Sequence, residues 1–273
     1  MKKIIYLLTT CSFVLLLGAC NDVEVDGDMT LEDIMNGSIS AMEELNSYAM
    51  EMEMEQTIDL SDDESMTMNM SSVSEVHQDP MILFQTISMD MLGETLSYES
   101  YFSEEHGFFM EDPMMGGWMK YPDSLVTEII DIETQMSPEE QLKPLMEYIT
   151  DVSLSSDDDF YTLNLAGEDV DMQAFFEEIN GMFGEGMDEL ETFMPDMTID
   201  ELQYEIVIDK ETLYQTATNV HMVLTMEMLG ETLSTTQNIK MKMSKFNEIE
   251  SLVIPEDVIN NAVEMSETDL FGF

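Results

Sequence analysis

The chain has 273 residues, of which 59 are acidic and 8 are Lys, with no Arg, giving a formal net charge of −51. A body so negative is repelled by nucleic acid and by anionic headgroups, which excludes DNA, RNA and polybasic membrane docking as partners. Hydrophobic residues still make up 44% of the chain and recur with regular periods, so a disordered polyanion is excluded as well. A folded, acidic surface remains, suited to high salt or high external pH, and its folding is expected to depend on salt because screening relieves self-repulsion.

The N-terminus carries the most specific signal. Lys2 and Lys3 precede an apolar run from Ile4 to Leu17. The run is too short and wrongly flanked for a stable membrane span, so residues 1–19 read as a cleaved export signal. It ends in Leu17-Gly18-Ala19-Cys20, which resembles the lipobox of bacterial lipoproteins. The resemblance implies a diacylglyceryl thioether on Cys20, with fatty acyl chains such as palmitate, and hence a lipid anchor on the extracytoplasmic face of the cell membrane. An ordinary signal peptide with an incidental cysteine is the weaker reading. More than one acyl chain is needed for firm anchorage. Cys11 leaves with the signal, so Cys20 is the sole mature cysteine and no intramolecular disulfide can form.

Residues 20–30 form an acidic tether that spans roughly 30 Å at about 3.4 Å per residue. Asp22, Glu24, Asp26, Gly27, Asp28 and Asp33 approach the spacing of a calcium loop. Glu in the third position, Asp in the twelfth and the lack of a preceding helix favour a solvated tether. A helix starts at Thr30, capped by its side chain with Asp33 three residues on. Leu31, Ile34, Met35, Ile39, Met42 and Leu45 follow at helical spacing, up to Asn46-Ser47. From Tyr48 the period becomes two. Tyr48, Met50, Met52, Met54, Ile58 and Leu60 share one face and Glu51, Glu53 and Glu55 the other, a half-buried strand. Ser61 to Glu64 turns the chain, and Met66, Met68 and Met70 continue the alternation.

A nine-residue stretch then occurs twice. Residues 89–97 and 226–234 differ only at Asp90 against Glu227, and each holds a Gly-Glu pair between alternating runs. Folding at Gly230-Glu231 places Met228 opposite Leu233, Met222 opposite Ile239, Val220 opposite Met241 and Asn219 opposite Lys242. The first copy, over Ile82 to Phe102, places Met91 opposite Leu96 and Met89 opposite Tyr98. One face is apolar and the other polar, as in strand pairs that cover a core.

Phe108 to Met110 and Gly116 to Tyr121 read as short strands. Leu125, Val126, Ile129 and Ile130 form an amphipathic patch. Ser137-Pro138-Glu139-Glu140 is a strong helix start, with a kink or break expected at Pro144. A hairpin near Asp157 to Asp159 leads to a helix over Met172, Phe175, Phe176 and Ile179, then a loop with a short helix over Phe183 to Met194. Strands return with Leu202 to Ile208, a turn at Asp209 to Thr212, and the second repeat hairpin running to Phe246. With no linker dividing it, the chain is expected to form one domain over 31–260 built from two related halves, with a flexible tail at 261–273.

This order of elements, with Leu45-Asn46-Ser47-Tyr48, Trp118-Met119-Lys120, Tyr204 to Thr212 and Ile254-Pro255-Glu256, resembles the LolA/LppX-like superfamily and uncharacterised Gram-positive envelope lipoproteins of that fold. The resemblance implies an α+β fold: a strongly curved antiparallel β-sheet, or half-barrel, with helices on its concave face and room for acyl chains. It carries over no catalytic residue.

The chain has 30 Met, many in Met-x-Met pairs. Soft thioethers select Cu(I), but a period of two with Glu and Ser between is the pattern of a buried strand face. Met50, Met52, Met54, Met68, Met89, Met91, Met222, Met226 and Met228 are therefore the expected lining of a hollow for an adaptable apolar ligand. His77, His106 and His221 lie far apart without metal spacing, and His221 is expected on the polar face opposite Lys240. No nucleophile, base and acid stand out as a set, so no enzyme, metal or cofactor is expected. Lys240, Lys242 and Lys245 read as relief of acid–acid repulsion on the outer face. The expectation is a monomeric, lipid-anchored protein that binds or shuttles a lipid or acyl chain. The alternative is a protein-interaction or sensory module without ligand.

Overall fold

The computed structural model describes residues 29–61, 64–91, 93–114, 116–122, 137–149, 151–166, 197–228 and 231–266. The signal, Cys20 and nearly all of the tether lie outside them, as do the patch at Leu125 to Ile130, the helix expected over Met172 to Ile179 and the loop at 183–194.

Helix α1 (Leu31–Glu43) starts where its caps put it. The Thr30 hydroxyl accepts from the Asp33 amide at 3.1 Å, and the Asp33 carboxylate accepts from the Thr30 amide at 2.9 Å. Two of the four free N-terminal amides of any helix are satisfied in this way. Strands β1 (Ser47–Ser61), β2 (Glu64–Gln78), β3 (Met81–Met91), β4 (Glu94–Ser103), β5 (Gly107–Glu111) and β6 (Trp118–Lys120) follow as one meander. Helix α2 (Pro138–Glu147) begins with Pro at its first turn, as expected. It is not split at Pro144. Leu142 and Leu145, on either side, are fully buried, and burying two leucines at about 1.5–3 kcal/mol each offsets the roughly 3 kcal/mol a helical proline costs.

A second meander comprises β7 (Val152–Ser156), β8 (Phe160–Ala166), β9 (Met197–Asp209), β10 (Gln215–Met228) and β11 (Glu231–Ser244). Its turns are held by aspartates. Asp157 accepts from the amides of Asp159 and Phe160, and Asp209 from the amides of Glu211 and Thr212 and the Thr212 hydroxyl. The C-terminal end adds helix α3 (Glu256–Asn261) and β12 (Val263–Glu264), which runs parallel to β6 and which the sequence does not advertise.

All twelve strands form one sheet in the order β12-β6-β5-β4-β3-β2-β1-β11-β10-β9-β8-β7. The meanders meet where β1 pairs with β11. The sheet is large, curved and unclosed, antiparallel apart from β12, with few helices among the described residues, as in a half-barrel.

Both repeat hairpins form, but their register differs from the expected one by two residues. Met228 pairs with Glu231, Met226 with Leu233 and Val220 with Ile239; in the first copy Met91 pairs with Glu94 and Met89 with Leu96. The first turn holds Gly93 at φ 85°, a conformation that glycine adopts without steric cost. A slip of two keeps every side chain on its expected face and changes only its partner. His221 therefore stands opposite Asn238, not Lys240, and bonds it at 2.8 Å.

Among the described residues the core has three parts. Ile34 and Met35 of α1 and Leu142 and Leu145 of α2 pack on the inner face of β7–β10. Met42 and Leu45 pack on Tyr48, Val76, Leu83, Phe102 and Met243, at one end of the central strands. The third part lies on the opposite face, where α3 places Val258 against Phe109. The expectation that helices cover the concave face holds for α1 and α2 and not for α3, because Phe109 alternates with inward-facing Phe108.

Candidate functional site

The register aligns inward-facing side chains into rows that cross the sheet. One row runs Val152, Leu165, Tyr204, Val220, Ile239, Met54, Met70, Met89, Leu96, through nine strands with no polar interruption except the Tyr204 hydroxyl. The next row towards α1 includes Met241, Met52, Ser72, Ile87 and Tyr98, and the one beyond holds Met243, Met50, Ser74, Gln85 and Ser100. On the other side of the long row, Gln237, Gln56 and Met68 stand beside one another.

Coverage of these rows is uneven. Over β7–β10 the two helices bury the inner face. Over the turn-bearing halves of β11 and β1–β4, residues Met52, Met54, Met66, Met68, Met70, Ile87, Met89, Leu96, Ile239 and Met241 are partly buried and belong to no packed cluster of described residues. Of the methionines expected to line a hollow, Met50, Met52, Met54, Met68, Met89 and Met226 have this partial exposure. Met222 is buried in the core instead, beside Leu202 and Leu224. The side chains of Met91 and Met228 lie outside the described residues. Met70 stands between Met54 and Met89, and Met241 opposite Met52. Their Met-x-Met pairing marked both residues, and the true register would have placed them in the lining.

Among the described residues the inner face is uncharged away from the hairpin turns, where Glu94 shares the inward parity of Leu96. Inward positions over 48–58, 66–76, 81–89, 96–102, 218–226 and 233–243 carry no Lys, Asp or Glu. The cations lie elsewhere. Lys240 and Lys242 are outward, directly opposite Glu53 and Glu51, which gives the relief of acid repulsion expected of them. Lys245 bonds Glu75 at 2.6 Å, Lys143 pairs with Glu140 and Glu43, and Lys120 and Lys210 lie over the rings of Phe109 and Tyr161. Tyr98 and Tyr204 are titratable groups within the rows, and burial pushes both phenols up from the ordinary value.

Beneath the methionines the floor is lowered by serines. Ser72 and Ser74 are buried, and their hydroxyls have no hydrogen-bond partner among the described residues. Two concavities lie among the described residues. One of about 390 Å³ lies between Pro80, Ile82, His106 and Val253. The other, about 560 Å³, is lined by Glu53, Glu55, Asn69, Asp90 and Lys240 of the outward face together with Met54 and Met70 of the inward row. Among the described residues no three His, Cys, Asp or Glu side chains converge as a metal site, and no helix is long and apolar enough to cross a membrane.

Residues 30–263 match the model of a family described as a family of unknown function (DUF6612). No curated protein matches the chain. Similar solved structures include a LolA superfamily protein from Nitrosomonas europaea, 8% identical with a TM-score of 0.25 over 85% of this chain and 97% of that one. A DUF1329 family protein from Desulfovibrio piger is 10% identical, with a TM-score of 0.26 over 81% of this chain and 94% of that one. A beta-barrel-like protein of domain of unknown function DUF1849 from Brucella abortus is 8% identical, with a TM-score of 0.24 over 72% and 98%.

Proposed function

We propose a function for this chain, which belongs to the family of unknown function DUF6612: it binds or shuttles a hydrophobic molecule, a lipid or acyl chain, in the hollow over β11 and β1–β4. One observation carries the reading. The row Val220, Ile239, Met54, Met70, Met89, Leu96 continues an apolar core row of the same sheet, yet Met54, Met70 and Met89 are left partly exposed and outside the packed clusters. Apolar surface left accessible in a concavity is where an apolar ligand gains most from leaving water. Thioether side chains adapt to ligands of undefined shape.

The protein acts without catalysis, as a monomer. Its Leu17-Gly18-Ala19-Cys20 stretch supports acylation at Cys20 and residence on the extracytoplasmic face of the cell membrane, as in Gram-positive envelope lipoproteins. Two experiments test these points separately. The mature chain takes up the neutral fluorophore N-phenyl-1-naphthylamine, and Met70→Glu, which puts a charge into the row, abolishes uptake while leaving the circular dichroism unchanged. Equal uptake by the two proteins refutes the hollow as the site and leaves the reading of an interaction module without ligand. For the anchor, Cys20→Ala releases the protein into the medium, and a variant that stays on the membrane refutes it.

A further inference from the structure

The charge and floor of the hollow define its ligand more narrowly than hydrophobicity does. We infer that the hollow over β11 and β1–β4 takes an uncharged amphiphile, an ester- or hydroxyl-headed lipid of the glyceride class, with its neutral polar group on Ser72 and Ser74, and rejects fatty-acid anions. The inference rests on the hollow proposed above.

The first argument is electrostatic. No inward position of the five strands that form the hollow is cationic, and the chain around it carries a formal charge of −51. A carboxylate entering this surface loses its water, finds no lysine to replace it and does so within a negative field. A buried unpaired charge of that kind is the most costly group a site can hold. A glyceride brings the same acyl chain without the charge.

The second argument comes from the floor. The hydroxyls of Ser72 and Ser74 are buried, without partners among the described residues. In the folded chain each is a cost, because a buried hydroxyl without a hydrogen bond loses its hydration for nothing in return. A ligand supplies the partner. Ser72 lies between Met52 and Ile87, next to the row of Met54, Met70 and Met89, and Ser74 lies one row further towards α1, between Met50 and Gln85. Gln85 in turn faces buried Ser100. The hollow thus has an apolar stretch for an acyl chain and, at its helix-covered end, a strip of neutral donors and acceptors. Hydroxyls and an amide serve an ester carbonyl or an alcohol well, and they bring no charge to balance an anion.

Displacement of N-phenyl-1-naphthylamine from the mature chain, with monoolein, oleate and hexadecane as competitors at pH 9, tests this. Monoolein binds at least about tenfold more tightly than oleate. The double variant Ser72→Ala/Ser74→Ala binds monoolein roughly three- to tenfold more weakly, binds hexadecane unchanged, and melts at a higher temperature without ligand because two orphan hydroxyls are gone. Oleate binding as tightly as monoolein overturns the inference and leaves the hollow standing, as does a double variant with undiminished monoolein affinity. Failure of all three competitors to bind refutes the hollow itself, and this inference with it.

Discussion

Truncating Met42 and Met70 to alanine in parallel separates a packed core from an accessible lining. Met42 is fully buried against Leu45, Tyr48, Val76, Leu83, Phe102 and Met243, and its sulfur accepts from the Gln215 amide at 3.3 Å. Removing its side chain loses the transfer free energy and leaves a cavity walled by packed neighbours, about 2–5 kcal/mol for such a substitution. The upper half of that range applies, since the Gln215 amide also loses its acceptor. Met70 belongs to no packed cluster and is partly exposed. Solvent fills the space it leaves, so the cavity contribution vanishes and about 1 kcal/mol of lost apolar burial remains. Urea unfolding followed by far-UV circular dichroism and by the fluorescence of Trp118, the single tryptophan, measures both. A Met70→Ala cost near that of Met42→Ala means that the methionine rows are a filled core, and the reasoning fails.

Other expectations concern charge. The melting temperature should rise between near-zero and molar salt, because −51 formal charges repel within one body until they are screened; a flat profile contradicts it. Stability should also drop in acid. Asp157 lies below the usual 3.8 because the Phe160 and Asp159 amides bond it. Burial pushes Asp209 up, but the Thr212 hydroxyl and the Thr212 and Glu211 amides outweigh it, and its net shift is also downward. A carboxylate depressed on folding stabilises above its unfolded value and loses that contribution as pH falls through the folded one, so the decline belongs below 3.8. A melting temperature that does not fall once the pH drops below 3.8 refutes this. Lys240→Glu puts a carboxylate directly opposite Glu53 and should cost about 0.5–1 kcal/mol at low salt, a cost that shrinks in molar salt.

What was legible in the sequence is local. The capping box at Thr30 and Asp33 placed α1, and alternation at Met50, Met52 and Met54 assigned the inward face of β1. Parity survived even where register did not, since both repeat hairpins pair two residues away from the expected register. Pairing of β1 with β11 joins residues nearly two hundred positions apart, and no period or turn signal encodes such a neighbour. The same limit applied to the site. The methionines of β1–β3, β10 and β11 look alike in the sequence, yet Met222 and Met243 are packed while Met54, Met70 and Met89 are not. The difference depends on where α1 and α2 come to rest, which is decided by tertiary packing. Ser72 and Ser74 gave no signal, because an inward serine and an outward one differ only through the register.

Native mass spectrometry of the protein purified from its own membranes in mild detergent tests the hollow most directly. The account predicts a bound fraction heavier than the acylated chain by one non-covalent lipid, of uncharged class, that is lost in the Met70→Glu variant. A single ligand-free mass that takes up no added glyceride contradicts it.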